Sequence, residues 1–235
     1  PTGQAGRVSK YLLYAIGEIV LVVVGILIAL QINNLNEASK ENLLEKNLLS
    51  EVKNGLEYDL DQLKKAIDFH RLSLNSQDVI VNWVDGKIDY NDSLGIHFLR
   101  TIFNRNVMFK EAPYETLQQI GLQIVKNDSL RNQISNLYDL AYQNIYWWQE
   151  DYEKIKSRFR NSFADLGFEF RDTKRRSDGH LAPIEALKVK TNKSYIFNLK
   201  TARAGLDIYT NYIMVGVQRE IEKTIGRIHK EIDEK

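Results

Sequence analysis

Few side chains in this sequence combine a reactive type with an informative neighbourhood, and the first is Glu18. It is the only charge in the 22 residues from Tyr11 to Ile32, within the run YAIGEIVLVVVGILIALQINN. A carboxylate in such a setting costs about 2.5–3.5 kcal/mol on membrane-insertion scales if it stays ionised and unpaired. It therefore calls for a raised pKa, a hydrogen-bonded partner, or a water-filled path. Projected at about 100° per residue, Ala15, Glu18, Val22, Gly25, Ala29 and Asn36 share one stripe, and Gln31 points the other way. Gly25 and Ala29 form a small-xxx-small pair, the pattern that lets helix backbones approach closely. Two chemistries stay open for Glu18: glue at a helix interface, or an ion or proton pathway.

A second group is aromatic. In LYDLAYQNIYWWQEDYEKIKSRFRNSF, Tyr138, Tyr142, Ile145, Tyr146, Tyr152, Phe159 and Phe163 follow helical spacing, with Trp147 and Trp148 beside them. Tyr142, Tyr146, Trp147 and Trp148 could line a ligand pocket, or form core or an interface. Two adjacent tryptophans cannot both face inward on a helix, so one belongs at a rim or interface.

The remaining candidates favour bland readings. His70, His97, His180 and His229 lack the paired spacing of a zinc helix. His70 falls near an apolar stripe, and a hydrogen-bonded core histidine is the expectation there. DGKIDYND mimics half an EF-hand loop, yet Val81 and Trp83 would occupy its first two ligand positions and cannot bind calcium. TKRR at 173–176 reads as a solvated loop. There is no cysteine, which removes disulfides, thiolate metal sites and cysteine nucleophiles. GxSxG, Walker, dinucleotide, HExxH and kinase signatures are missing. The expectation is no enzyme, no cofactor and no metal. Net charge is +1, with 32 basic against 31 acidic residues, so nucleic acid is not an expected partner.

The elements that must position these residues are helical. Only 3 prolines interrupt 235 residues. The apolar run matches the roughly 20 residues needed to cross about 30 Å of hydrocarbon, and it is longer than a signal-peptide core and lacks a cleavage site. Arg7 and Lys10 before it, with Tyr11 and Tyr14 at headgroup level, place the short end in the cytoplasm. Beyond it, Leu49, Val52, Leu56, Leu60, Leu63, Ile67, Leu74, Val81 and Val84 recur at three- and four-residue steps, a long amphipathic helix continuous with the membrane segment. Short helices are expected around 94–104, 113–121 and 183–188, and long ones at 129–166 and 194–232. The tetrapeptide NDSL at 91–94 and 127–130 precedes a helix each time, offering Asp or Ser as a cap. RDTKRRSDGHLAP reads as loop. The expected organisation is a cytoplasmic segment 1–10, a transmembrane helix 11–33 and an all-α bundle over 34–235.

The blocks SKYLLYAIGEIVLVVVGILIALQINNLNE, residues 9–37, and APYETLQQIGLQIVKNDSLRNQISNLY, residues 112–138, resemble, in that order, the two recurrent blocks of a domain-of-unknown-function family of single-pass membrane proteins widespread in Bacteroidota. The resemblance implies an inner-membrane protein with a periplasmic helical domain, and it brings no catalytic residues. Three roles follow as expectations. The first is a homo-oligomer embedded in the lipid bilayer that presents its helical domain to another membrane or periplasmic protein. The second is a small ion channel or proton-coupled component with Glu18 on its path, and the third is a periplasmic ligand sensor acting through a partner.

Overall fold

The structure, a computed structural model, describes residues 5–171 and 180–234, with side chains from residue 16 onward. The expectations resting on the side chains of Arg7, Lys10, Tyr11, Tyr14, Ala15 and the TKRR cluster lie outside the described residues. The chain divides into two compact units, one up to Leu48 and the other from Leu49 to Glu234. Helix α1, Ala5–Val84, carries the first unit and opens the second. No proline and only scattered glycines stand in its sequence, so nothing in it breaks the ladder of i to i−4 hydrogen bonds.

In the first unit, every side chain from Ile16 to Leu44 is exposed. This stretch holds the one helix segment among the described residues that is long and apolar enough to cross a membrane, with a mean hydropathy of 2.3 over its most apolar window.

In the second unit, α1 turns Leu49, Val52, Leu56, Leu63, Ile67, Leu74 and Val84 inward, as their spacing predicts, while Leu60 and Val81 are half-buried beside the buried Asp59 and Ile80. Each fully buried side chain of this size contributes about 1.5–3 kcal/mol. Helices α2 (Leu94–Ile102) and α3 (Ala112–Ile120) follow, the latter opened by Pro113 with Glu115 in its first turn. Helix α4 (Asp128–Asn136) passes through a π-helical turn, Leu137–Tyr142, into α5 (Gln143–Leu166). Helices α6 (Ala186–Thr191), α7 (Lys193–Asp207) and α8 (Val215–Asp233) complete the bundle, with a second π-helical turn, Ile208–Met214, between the last two. The fold is all-α in character, as the periodicity predicts.

Three local expectations are corrected. The loop expected over 171–183 is bordered by strands: β1, Phe168–Arg171, pairs antiparallel with β2, His180–Pro183, in the register Phe168 to Pro183 and Arg171 to His180. The pair closes the end of the core where Phe168 packs 4.4 Å from Phe163 and 5.2 Å from Phe98, centroid to centroid. The short helix expected near 183–188 begins only at Ala186, because β2 claims the chain through Pro183. In neither NDSL copy does Asp or Ser cap the helix: asparagine caps α4 in the second copy, and α2 has no side-chain cap in the first. Asn127 Oδ1 accepts from Leu130 N at 3.1 Å, and Asn91 Oδ1 accepts from Ser93 N at 3.0 Å, an Asx turn before α2. Helix α5 stops at Gly167, whose φ of 72° is the left-handed conformation that ends helices without a Cβ penalty.

Candidate functional site

The first candidate is the anchor stripe. Val22, Gly25 and Ala29 are exposed, and a Cβ added at Gly25 would meet no atom within 4 Å. Glu18 is exposed on the same stripe, and no hydrogen bond or ion pair involves it among the described residues. The polar end of this segment is locally satisfied: Asn33 Nδ2 donates to Glu37 Oε1 at 3.0 Å, one turn on.

The second candidate grows from the aromatic helix. The π-helical turn Leu137–Tyr142 buries both Tyr138 and Tyr142. The Tyr142 hydroxyl donates to Asp59 Oδ2 at 2.9 Å, and the Lys110 backbone N–H donates to Asp59 Oδ1 at 2.8 Å. Tyr146 donates to Glu111 Oε1 at 2.9 Å and accepts from the Phe109 N–H at 3.2 Å. Phe109 stacks on Tyr142 with centroids 3.7 Å apart, and Tyr138 stacks on Tyr114 at 4.5 Å. The Tyr114 hydroxyl donates to Asp139 Oδ2 at 2.8 Å. The segment Phe109–Glu111 thus lies across two tyrosines and supplies one backbone amide, that of Lys110, to the buried carboxylate.

Burial sets the electrostatics here. Asp59 is fully buried, and desolvation lifts its pKa from 3.8 to about 6, although the Lys110 amide and Tyr142 hydroxyl pull it down. Desolvation first, then the Asp59 charge, pushes the Tyr142 hydroxyl far above the usual phenol range. Burial raises Tyr146 to about 12. Both phenols are therefore neutral donors, and the group that can exchange a proton near neutral pH is Asp59. Two acids, Asp59 and Glu111, are thus each held by a tyrosine hydroxyl, with Phe109 stacked on Tyr142 beside them.

Of the four aromatics singled out in the sequence, Tyr142 and Tyr146 both contact Phe109 in this cluster, and sequence reasoning missed Asp59, Lys110 and Glu111. A signal for Asp59 existed. It stands three residues after Leu56 and four before Leu63, on the buried stripe, but Leu60 beside it satisfies the same periodicity and masks it. Trp147 and Trp148 do not join the cluster. They pack edge to face on each other with centroids 5.2 Å apart, Trp147 being 59% exposed and Trp148 half-buried. A larger groove of about 1050 Å³ runs between α4 with its π turn and α8 with its own. Asn132, Asn136, Leu140, Tyr212 and Arg227 line it, and Leu140 and Tyr212 are 65% and 69% exposed.

His70 sits in the core as expected, but its bonding differs from the expectation. Among the described residues neither ring nitrogen completes a hydrogen bond, and burial first, then the Lys156 charge, lowers its pKa to about 4, a fall that the nearby Asn104 side chain and Arg105 backbone only partly offset. Among the described residues, no three His, Asp or Glu side chains gather as a metal site.

Comparison with known proteins adds no chemistry to either candidate. A family of unknown function (DUF6090) matches residues 18–170, which takes in both candidates. The chain is also similar to a Mycoplasma pneumoniae protein described as the uncharacterized MG123 homolog, 25% identical over 111 residues. The aligned part is 46% of this chain and 23% of that protein, so the chain spans under a quarter of that relative's length. No solved structure matches.

Proposed function

The chain belongs to the DUF6090 family of unknown function, and on that footing we propose a non-enzymatic, single-pass protein of the bacterial inner membrane. Its N-terminal helix binds further copies of itself through the stripe Glu18, Val22, Gly25 and Ala29. Its helical domain is held in the periplasm for interaction with other proteins. The observation that carries this reading is the anchor segment itself. Every side chain from Ile16 to Leu44 is exposed, and among them Glu18 has no partner among the described residues. Hydrocarbon satisfies the apolar side chains of that segment and leaves the carboxyl without a partner. A neighbouring copy supplies one, at the face where small residues allow close approach. The exposed Leu140 and Tyr212 in the groove of the helical domain offer a surface of the mixed apolar and polar kind found at protein interfaces.

The test is Gly25→Leu and Ala29→Leu in mild detergent. Each adds a bulky side chain to the stripe and should reduce the particle, by light scattering, from oligomer to monomer. An unchanged mass in both variants contradicts the proposal. Ion flux through liposomes that is altered by Glu18→Gln, with assembly intact, would instead favour a conducting role.

A further inference from the structure

The groove between α4 and α8 has an ordered lining. Along one wall, Asn132, Asn136, Leu140 and Asn144 stand at four-residue steps, all of them exposed. In an unbroken α-helix such a row winds about 40° around the axis at each step. The π-helical turn Leu137–Tyr142 holds more than four residues in one turn and rotates the row back, so all four residues line the groove. On the facing wall, Tyr212 stands in the other π-helical turn and is 69% exposed. Gly216 follows one turn on, where an added Cβ would meet nothing within 4 Å. The buried Leu137 and Val217 lie at the base.

The walls are fixed before anything binds. Gln133 of α4 donates to the Thr224 hydroxyl of α8 at 2.9 Å and accepts from Arg227, and Asn127 Nδ2 donates to Glu231 Oε2 at 2.7 Å. The exposed asparagines are left over: among the described residues, the side chains of Asn132, Asn136 and Asn144 make no hydrogen bond. A primary amide donates and accepts at once, and a peptide group answers both of its ends together, where a saccharide hydroxyl meets them singly. Asn132 and Asn136, both within α4, are about 6 Å apart along the axis. Two residues of an extended chain advance by about 6.6 Å. Successive asparagines can thus reach every second peptide group of one extended chain, and the row from Asn132 to Asn144 spans about five of its residues. The charges of the lining, Asp128 and Glu220 against Lys223 and Arg227, cancel, so the groove has no net charge with which to select an ion.

We propose that this groove binds an extended segment of a partner polypeptide, the three asparagines bonding alternate peptide groups and Leu140 and Tyr212 seating side chains between them. The inference rests on the reading of the helical domain as an interaction module and names its site and ligand. It does not depend on self-association of the anchor, which light scattering reads separately. A main-chain ladder makes recognition tolerant of sequence, with selectivity confined to the positions beside Leu140 and Tyr212.

The probe is an array of immobilised, N-acetylated random hexapeptides, exposed to the labelled full chain in lipid nanodiscs. The strongest binders are remade as free, C-amidated peptides for titration, with each backbone nitrogen methylated in turn. Affinity should fall about tenfold on methylation at alternate positions and hold between them, the mark of an extended chain read from one side. Asn136→Leu and Asn144→Leu should each weaken the same peptides about tenfold, and Tyr212→Ala should change which side chains are preferred. All three replace exposed groups, and circular dichroism checks that the helices remain. An oligomer that binds no hexapeptide would leave the anchor reading standing and overturn this one. Affinities unchanged in both asparagine variants would also overturn it, by placing the peptides elsewhere on the protein. So would binding of chitotetraose, and of no peptide, that Asn136→Leu abolishes, since the groove would then be a saccharide site.

Discussion

Asp59 and His70 are buried on the same face of α1 and are shifted in opposite directions, which gives the domain a compensated pH response. Asp59 rises from 3.8 to about 6 on folding, so its contribution to stability is full below pH 3.8 and is lost as pH rises through about 6. His70 falls from 6.5 to about 4, so its contribution is full above pH 6.5 and is lost as pH falls through about 4. Each swing is worth about 3 kcal/mol, and between about pH 4 and 6 they oppose. Denaturant titrations across that window should therefore differ by variant. Relative to wild type, Asp59→Asn should become more stable as pH rises, with His70 unopposed, and His70→Gln should become less stable. Parallel profiles would contradict the assignment. Tyr142→Phe removes one of the two donors on Asp59 and should cost about 1–3 kcal/mol at neutral pH. At this scale the sequence was partly legible. The tyrosines were visible by period, but Asp59, Gln77 and Lys156 were not, because a polar residue on an apolar stripe looks like its exposed neighbours until burial is known.

At the scale of elements, the long helices follow from hydrophobic periodicity, which is why α1 ends at Val84 as the spacing predicts. The two π-helical turns were not legible. One extra residue in a helical turn barely disturbs a three-and-four pattern, yet it lets adjacent side chains, Leu137 with Tyr138 and Tyr209 with Thr210, both turn inward. The strands were missed because four residues carry too little alternation to stand out. Close packing at that hairpin makes a prediction. A Cβ at Gly95 of α2 would fall 2.8 Å from His180 Cβ of β2, whereas one at Gly226 of α8 would meet nothing within 4 Å. Gly95→Ala should thus destabilise by about 1–3 kcal/mol through overpacking. Gly226→Ala should stabilise by about 0.5–1 kcal/mol through helix propensity. Thermal or urea unfolding of the two variants checks the contrast, and equal effects would contradict it.

At the scale of the whole molecule, a helical domain with a self-contained core joins a helix segment that has none. The domain buries a core of its own while leaving side chains such as Met108, Leu140 and Tyr212 exposed, whereas every side chain from Ile16 to Leu44 is exposed. This difference was readable in the sequence, because an apolar run with no polar face can only be buried in lipid or protein. The partner proposed for Glu18, a neighbouring copy, is not legible in the sequence, since a lone helix carries no record of what packs against it. The absence of cysteine makes the proposal accessible to a clean measurement. Single cysteines placed at Val22 or Ala29, on the Glu18 stripe, and at Val20 or Leu27, on the opposite face, can be oxidised in native membranes. The account predicts disulfide-linked dimers from Val22→Cys and Ala29→Cys and little or none from Val20→Cys and Leu27→Cys. Equal cross-linking from both faces, or none from either, would contradict it.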